Sequence, residues 1–243
     1  MVRLRRRADL SVVVPALNEE AALARTLEPL VADGLEVVVV DGGSTDRTAL
    51  VAESLGAEVI RAPRGRARQM NAGADHTTGR TLFFLHADSI APAGAGLTIE
   101  SVLAQPGVAA GAFRLAFHPP DLRLAPIAAL ANLRSTFGIT YGDQGLFLRR
   151  ETFVQMGGFA ELPLMEDLEL VRRLNRIGRV ALAPARVLTS GRRYLDRGVL
   201  RQTLENQRRL WRYYRGAPVD ALTADYPDRI TSRRRSWPRW YRR

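Results

Sequence analysis

Cysteine is absent, and so is lysine: all 36 basic residues are arginine. Without cysteine there is no disulfide framework, no thiolate zinc site and no cysteine nucleophile, which fits a reducing compartment. Without lysine, a Walker A phosphate loop and Schiff-base chemistry are both excluded. Neither a G-x-S-x-G elbow nor an H-E-x-x-H pair occurs. No apolar run approaches the roughly 18 residues of a membrane-spanning helix. The start, MVRLRRRADL, carries charge but no apolar stretch, so it does not read as a secretory signal. A cytoplasmic setting is expected.

The formal net charge is +11, but it is not spread over the chain. Arginines cluster in residues 3–7 and 229–243, two stretches without a single acid, and the body between them is neutral. Nucleic acid is therefore not expected as a partner, because a nucleic-acid-binding domain carries its basic charge on a folded face. The end SWPRWYRR interleaves Trp237, Trp240 and Tyr241 with arginine. That composition reads either as a solvated end or as a contact for an anionic membrane surface on the inner face of the cell membrane.

The 243 residues suit one large α/β domain. LSVVVP (10–15), LEVVVV (35–40), AEVIRA (57–62) and TLFFLH (81–86) read as strands, with helices expected at 18–32, capped by Asn18, at 46–55 and at 66–76. Strands alternating with helices predict a mostly parallel sheet with helices on both faces. β-Branched runs without polar alternation predict strands buried on both sides. Further on, helices are expected at 94–104, at 122–134 with an interruption at Pro126, at 166–177 and at 197–215. Strands are expected at 108–117 and 144–150, and one or two at 179–190. The organisation predicted is a basic arm (1–9), one domain (10–215) with a nucleotide-binding half (10–90) and an acceptor half (91–215), and a basic aromatic tail (216–243).

In an open parallel sheet, ligands bind beyond the carboxyl ends of the strands. Here the first strand runs into PALNEE, the second into DGGSTD and the fourth into HADS. Any one of these reads equally well as helix capping; three on one edge suit a hard divalent cation, which takes oxygen ligands and bridges phosphates. That points to a nucleoside diphosphate. A dinucleotide fold is excluded, because no glycine follows the first strand until Gly34.

SVVVPALNEE, VVVDGGSTDRT, RQMNAG (68–73), FFLHADS and MEDLEL (165–170) together resemble the ordered motif set of family 2 glycosyltransferases with a GT-A fold, over about three quarters of the chain. The H-A-D variant and GDQG (142–145) are most similar to a bacterial subgroup associated with radical-SAM and selenodomain proteins. The resemblance implies a Rossmann-like α/β domain that binds a nucleotide-diphospho-sugar, a UDP-sugar first, together with Mn2+ or Mg2+. It places Asp88 on the metal and His86 where the family has the first aspartate of D-x-D. Pro15, Asn18, Glu19, Asp41, Arg68 and Asn71 fall at the donor nucleotide, with Gly42 in place of a second aspartate. Asp167 is implied as the base in an inverting transfer, and Glu166 as its orienting neighbour. Asp143, Gln144, Arg192 and Arg193 are candidates for sugar, phosphate or acceptor contacts; the acceptor, a lipid or a small metabolite, is left open. A nucleotidyltransferase and a non-catalytic scaffold on the same fold are the competing readings. PALNEE argues against the first, since that chemistry wants a glycine-rich basic loop after the first strand.

Overall fold

The computed structural model describes residues 9–218 and Leu222. Residues 1–8 of the basic arm and most of the aromatic tail, Trp237, Trp240 and Tyr241 included, lie outside the described residues. In chain order the elements are β1 Leu10–Ala16, α1 Leu23–Ala32, β2 Glu36–Asp41, α2 Thr48–Ser54, β3 Glu58–Arg61, α3 Arg66–His76, β4 Thr81–Phe84, β5 Ser89–Ile90 and α4 Ala95–Leu103. There follow β6 Val108–His118, α5 Ala125–Thr136, a single 3-10 turn Gly142–Gln144, β7 Leu146–Arg149, α6 Arg150–Gln155, α7 Glu166–Leu174, β8 Arg179–Ser190, α8 Arg192–Arg197 and α9 Val199–Tyr214.

The strands form one sheet in the order β3-β2-β1-β4-β7-β6-β8-β5. β3, β2, β1 and β4 run parallel. β7 lies antiparallel between β4 and β6, and β8 returns to run parallel to β6. The continuous apolar runs are explained by burial on both faces. Val12, Val14 and Phe83 enter a cluster with Leu23, Leu27 and Ile99 from α1 and α4. Val13, Leu82 and Phe84 enter the opposite cluster, with Met70, Phe153 and Leu170 from α3, α6 and α7. A third, smaller cluster joins Leu115, Phe117 and Leu124 to α5 and α8.

Three local expectations are corrected. The first helix does not begin at Asn18, whose φ is 55°; α1 starts at Leu23 behind Ala22, which makes no side-chain cap bond. Asn18 instead accepts a hydrogen bond from Thr45 N at 2.8 Å, so its amide holds the next loop rather than a helix end. Pro126 does not interrupt α5 but lies in its first turn, where a missing N–H costs no intrahelical bond. Residues 179–190 form one strand; Pro184 lies where the register against β6 shifts, between the pairs Ala112–Leu182 and Arg114–Arg186, the kind of irregularity at which a strand tolerates proline.

Candidate functional site

Because β1, β2 and β4 are parallel neighbours, their carboxyl ends deliver Asn18-Glu19, Asp41 and His86-Ala87-Asp88 to one edge. Backbone and polar bonds then weld these loops together. Asn18 N–H donates to Ser44 Oγ (2.9 Å), and Glu19 N–H to Thr48 Oγ1 (2.8 Å). Asp41 is buried, and its carboxylate accepts from Ser44 N (3.0 Å). Pro15 is buried in β1, opposite Val40. Thr26 on α1 donates to Ala87 O (2.9 Å), and β5 ties the segment after Asp88 to β8, with Ser89 Oγ donating to Thr189 Oγ1 (3.0 Å).

Gln69, which sequence reasoning missed, is the cross-brace. Its Nε2 donates to Ala16 O (2.9 Å) and Val40 O (2.8 Å), joining the ends of β1 and β2. It also accounts for Gly42: a Cβ there would meet the Gln69 side chain at 3.0 Å. The signal was available, since Gln69 shares the sheet-facing side of α3 with Ala67, Met70 and Gly73.

On the other flank, His86, Gly142 and Asp167 converge. A Cβ on Gly142 would meet His86 Nε2 at 3.0 Å and Asp167 Oδ2 at 3.1 Å. Gly142 N–H donates to Asp167 Oδ2 (2.6 Å), and Leu168 N–H to Asp167 Oδ1 (2.7 Å). Both carboxylate oxygens are thus fixed by backbone donors at the start of α7. Glu166 is buried, and its Oε1 pairs with Arg66 Nε at 2.8 Å. Burial raises the Glu166 carboxyl above its ordinary range, with Arg66 opposing. Arg66 was not singled out from sequence, and nothing local marks it; its partner is a hundred residues away.

Asp143 follows Gly142. Its Oδ1 is occluded and without a hydrogen-bond partner, as is the hydroxyl of Tyr141. Desolvation raises Asp143 to about 6; Arg134 opposes this, while Asp167 and Asp88 reinforce it. Arg134 in turn stacks over the Tyr141 ring, 3.4 Å from its centroid. At the ends of the first and fourth strands, Arg192 Nη2 lies 3.5 Å from Glu19 Oε2 and 3.9 Å from Asp88 Oδ2. The guanidinium therefore links the first and fourth strand ends. Arg193 lies beside it on α8 and acts electrostatically on Tyr194.

Three of the expected contact residues have partners within the protein. Arg68 turns outward to Glu161 (2.9 Å) in an exposed pair, because its position on α3 faces away from the sheet edge. Asn71 is consumed in a two-way clasp on the Phe159 backbone, donating to its O and accepting from its N, each at 2.9 Å. Gln144 is buried, donates to Phe113 O (3.1 Å) and accepts from Ser135 Oγ (2.8 Å) and Thr140 Oγ1 (3.1 Å). Asn71 and Gln144 therefore brace the loops that carry the site. Among the described residues, no three His, Asp or Glu side chains converge to hold a metal ion by themselves.

Residues 11–126 match the family model described as Glycosyl transferase family 2. An uncharacterized glycosyltransferase of Mycobacterium tuberculosis is 40% identical over 86 residues, which is 35% of this chain and 39% of that protein. Glucosyl-3-phosphoglycerate synthase of the same organism is 38% identical over 99 residues, 34% of this chain and 30% of the synthase. The matches thus span well under half the length of these relatives. Among solved structures, a mannosyltransferase from Pyrobaculum calidifontis in complex with GDP-Man and Mn2+ superposes with a TM-score of 0.61 at 24% identity, covering 76% of this chain and 58% of that one. The M. tuberculosis synthase with Mn2+, UDP and glucosyl-3-phosphoglycerate gives 0.57 at 21% identity, covering 75% and 71%. The shared architecture is the GT-A fold, and the match to the family model described as Glycosyl transferase family 2 spans residues 11–126, just under half of this chain.

Proposed function

We propose that this protein is an inverting glycosyltransferase that moves a sugar from a nucleotide-diphospho-sugar to an acceptor hydroxyl. The observation that carries this reading is the meeting, at one sheet edge, of a carboxylate pair bridged by arginine (Glu19 and Asp88 through Arg192) with a backbone-fixed carboxylate, Asp167. The first suits a diphosphate and the second a proton.

In this reading Asp167 takes the proton of the acceptor hydroxyl as its oxygen attacks the anomeric carbon. The bond to the diphosphate oxygen breaks on the opposite face, and the nucleoside diphosphate leaves with the bonding pair. One carboxylate suffices, because the leaving group needs no proton of its own. The amides of Gly142 and Leu168 hold the base in place, and Glu166, anchored by Arg66, fixes the start of α7 from which it projects. Asp88 and the nearby His86 would hold Mn2+ or Mg2+, which when bound stabilises charge on the departing diphosphate. The sparse protein ligand set fits an ion that completes its shell with phosphate oxygens and water. Arg192 would add a cation to the same phosphates. Solved neighbours bind Mn2+ with UDP and with GDP-Man, so a UDP-sugar is the first donor to try and a GDP-sugar the second. The H-A-D and GDQG variants favour the radical-SAM-associated subgroup. The neutral body with basic ends favours a cytoplasmic enzyme at the inner face of the membrane.

The test is a thermal-shift panel of nucleoside diphosphates and sugar nucleotides, with and without Mn2+, on the wild type and Asp88→Ala. A ligand at a hundred times its dissociation constant stabilises by about 2.7 kcal/mol. The expected result is a Mn2+-dependent shift for one nucleotide, lost in Asp88→Ala. No shift with any nucleotide would move the non-catalytic scaffold reading to the front.

A further inference from the structure

Large apolar side chains exposed among the described residues are not scattered. Nine of the thirteen belong to α5 and its flanks or to α9. On α9, Leu200 (80% exposed), Leu204, Trp211 and Tyr214 recur at helical spacing and form one outward stripe, opposite the buried Gln202 and Arg209. On α5, Leu130, Leu133 and Phe137 (76% exposed) form a second stripe, continued by Leu122 before the helix. The opposite side of α5, with Ile127, Ala128 and Ala131, packs on the small third cluster, and α9 starts from that same cluster through Val199. At its far end α9 brings Tyr214 near enough to Tyr141 to act on it electrostatically, and Tyr141 lies under Arg134 of α5. The two helices therefore flank one side of the molecule, the side on which Gly142 and Asp143 stand.

We infer that this face docks on an anionic lipid bilayer. Charge selects that occupant. Arg201, Arg208 and Arg215 recur every seven residues as an exposed row along the α9 stripe. Arg215 covers the Trp211 ring at 4.0 Å, and Arg201 pairs with Glu205 at 3.0 Å while staying largely exposed. A leucine stripe edged by arginine, with tryptophan and tyrosine at the boundary, is the pattern of a helix lying in a membrane interface. A partner protein's hydrophobic groove would match the leucines and leave the arginine row without counter-charge. The sequence beyond α9 carries the same chemistry, seven arginines and two tryptophans without an acid in residues 229–243. No described helix is long and apolar enough to cross a membrane, so the contact is peripheral. None of this depends on the reaction assigned above.

Co-sedimentation of the full chain with vesicles tests the inference. Vesicles of phosphatidylcholine alone are compared with vesicles that also contain phosphatidylglycerol, at low and high salt. Binding is expected to the anionic vesicles only, weakened by salt. It should drop about tenfold or more in Leu204→Glu/Trp211→Glu and in Leu130→Glu/Leu133→Glu, an effect of a few buried side chains. Arg208→Ala/Arg215→Ala, which removes two exposed cations of that row, should weaken binding and flatten its salt dependence. Circular dichroism and an unchanged melting temperature serve as folding controls. The inference is overturned if wild type fails to bind anionic vesicles, or if the helix variants bind as wild type does, which would leave the contact to the tail. It is also overturned if wild type forms a dimer in solution that Leu204→Glu/Trp211→Glu dissolves, since a second copy would then cover the face.

Discussion

Arg66 Nε stands 2.8 Å from Glu166 Oε1, a pair that joins the start of α3 to the start of α7, with the glutamate buried and the arginine one-third exposed. Removing the arginine strands a buried carboxylate, whereas neutralising the glutamate leaves an arginine that can reach water. Breaking a buried pair from one side costs about 3–5 kcal/mol; the exposure of Arg66 puts Arg66→Ala toward about 2–3 kcal/mol. Glu166→Gln should cost less. Urea denaturation of the two variants checks the order, and an Arg66→Ala no weaker than Glu166→Gln would refute it.

Asp143 carries the clearest pH signature. Its carboxyl titrates near 6 in the folded protein, above the ordinary 3.8, so between those values the folded state holds a proton that the unfolded state has lost. Stability contributed by this residue is therefore complete below about pH 4 and falls as pH rises through about 6. Asp143→Asn should raise the melting temperature at about pH 8 and leave it nearly unchanged at about pH 4. Equal effects at both values would show that Asp143 is not desolvated as described.

Asp167 and Gly142 make a paired prediction about rate. Asp167→Asn keeps the shape but removes proton acceptance, so kcat should fall by roughly 10²–10⁴-fold while the nucleotide thermal shift survives. Gly142→Ala leaves the carboxylate in place but crowds His86 and Asp167 at 3.0 and 3.1 Å. Those neighbours must yield by a few tenths of an ångström, and since a misplacement of about 1 Å costs about 10²-fold, kcat should fall by less than that. Donor turnover assays with product analysis would read both; an Asp167→Asn enzyme as fast as wild type would remove it as the base.

Arg68 is the control. Its bond to Glu161 joins two side chains that are each more than half exposed, and such pairs contribute about 0–1 kcal/mol. Arg68→Ala should leave stability and nucleotide affinity nearly unchanged. A tenfold loss of nucleotide affinity would mean that this side chain swings into the site on binding.

Much of this was legible in the chain. Uninterrupted valine and phenylalanine runs occur because β1, β2 and β4 are covered on both faces, so their positions could be read directly, and parallel order placed their polar ends on one edge. α3 was expected at 66–76 and occupies Arg66–His76. The reading failed where a polar side chain chose between a local and a distant partner. Asn18 reads as a helix cap and instead clasps Thr45; Asn71 and Gln144, read from sequence as ligand contacts, have the Phe159 and Phe113 backbones as partners within the protein. Arg66, which nothing local marks, and Gln69, on the sheet-facing side of α3, hold the two halves of the site. Periodicity and strand-end chemistry are properties of neighbouring residues, and the sequence alone determined them. Which amide or guanidinium meets which carboxylate depends on segments a hundred residues apart and more, as with Arg66–Glu166 and Arg192–Glu19, and only tertiary packing decided that.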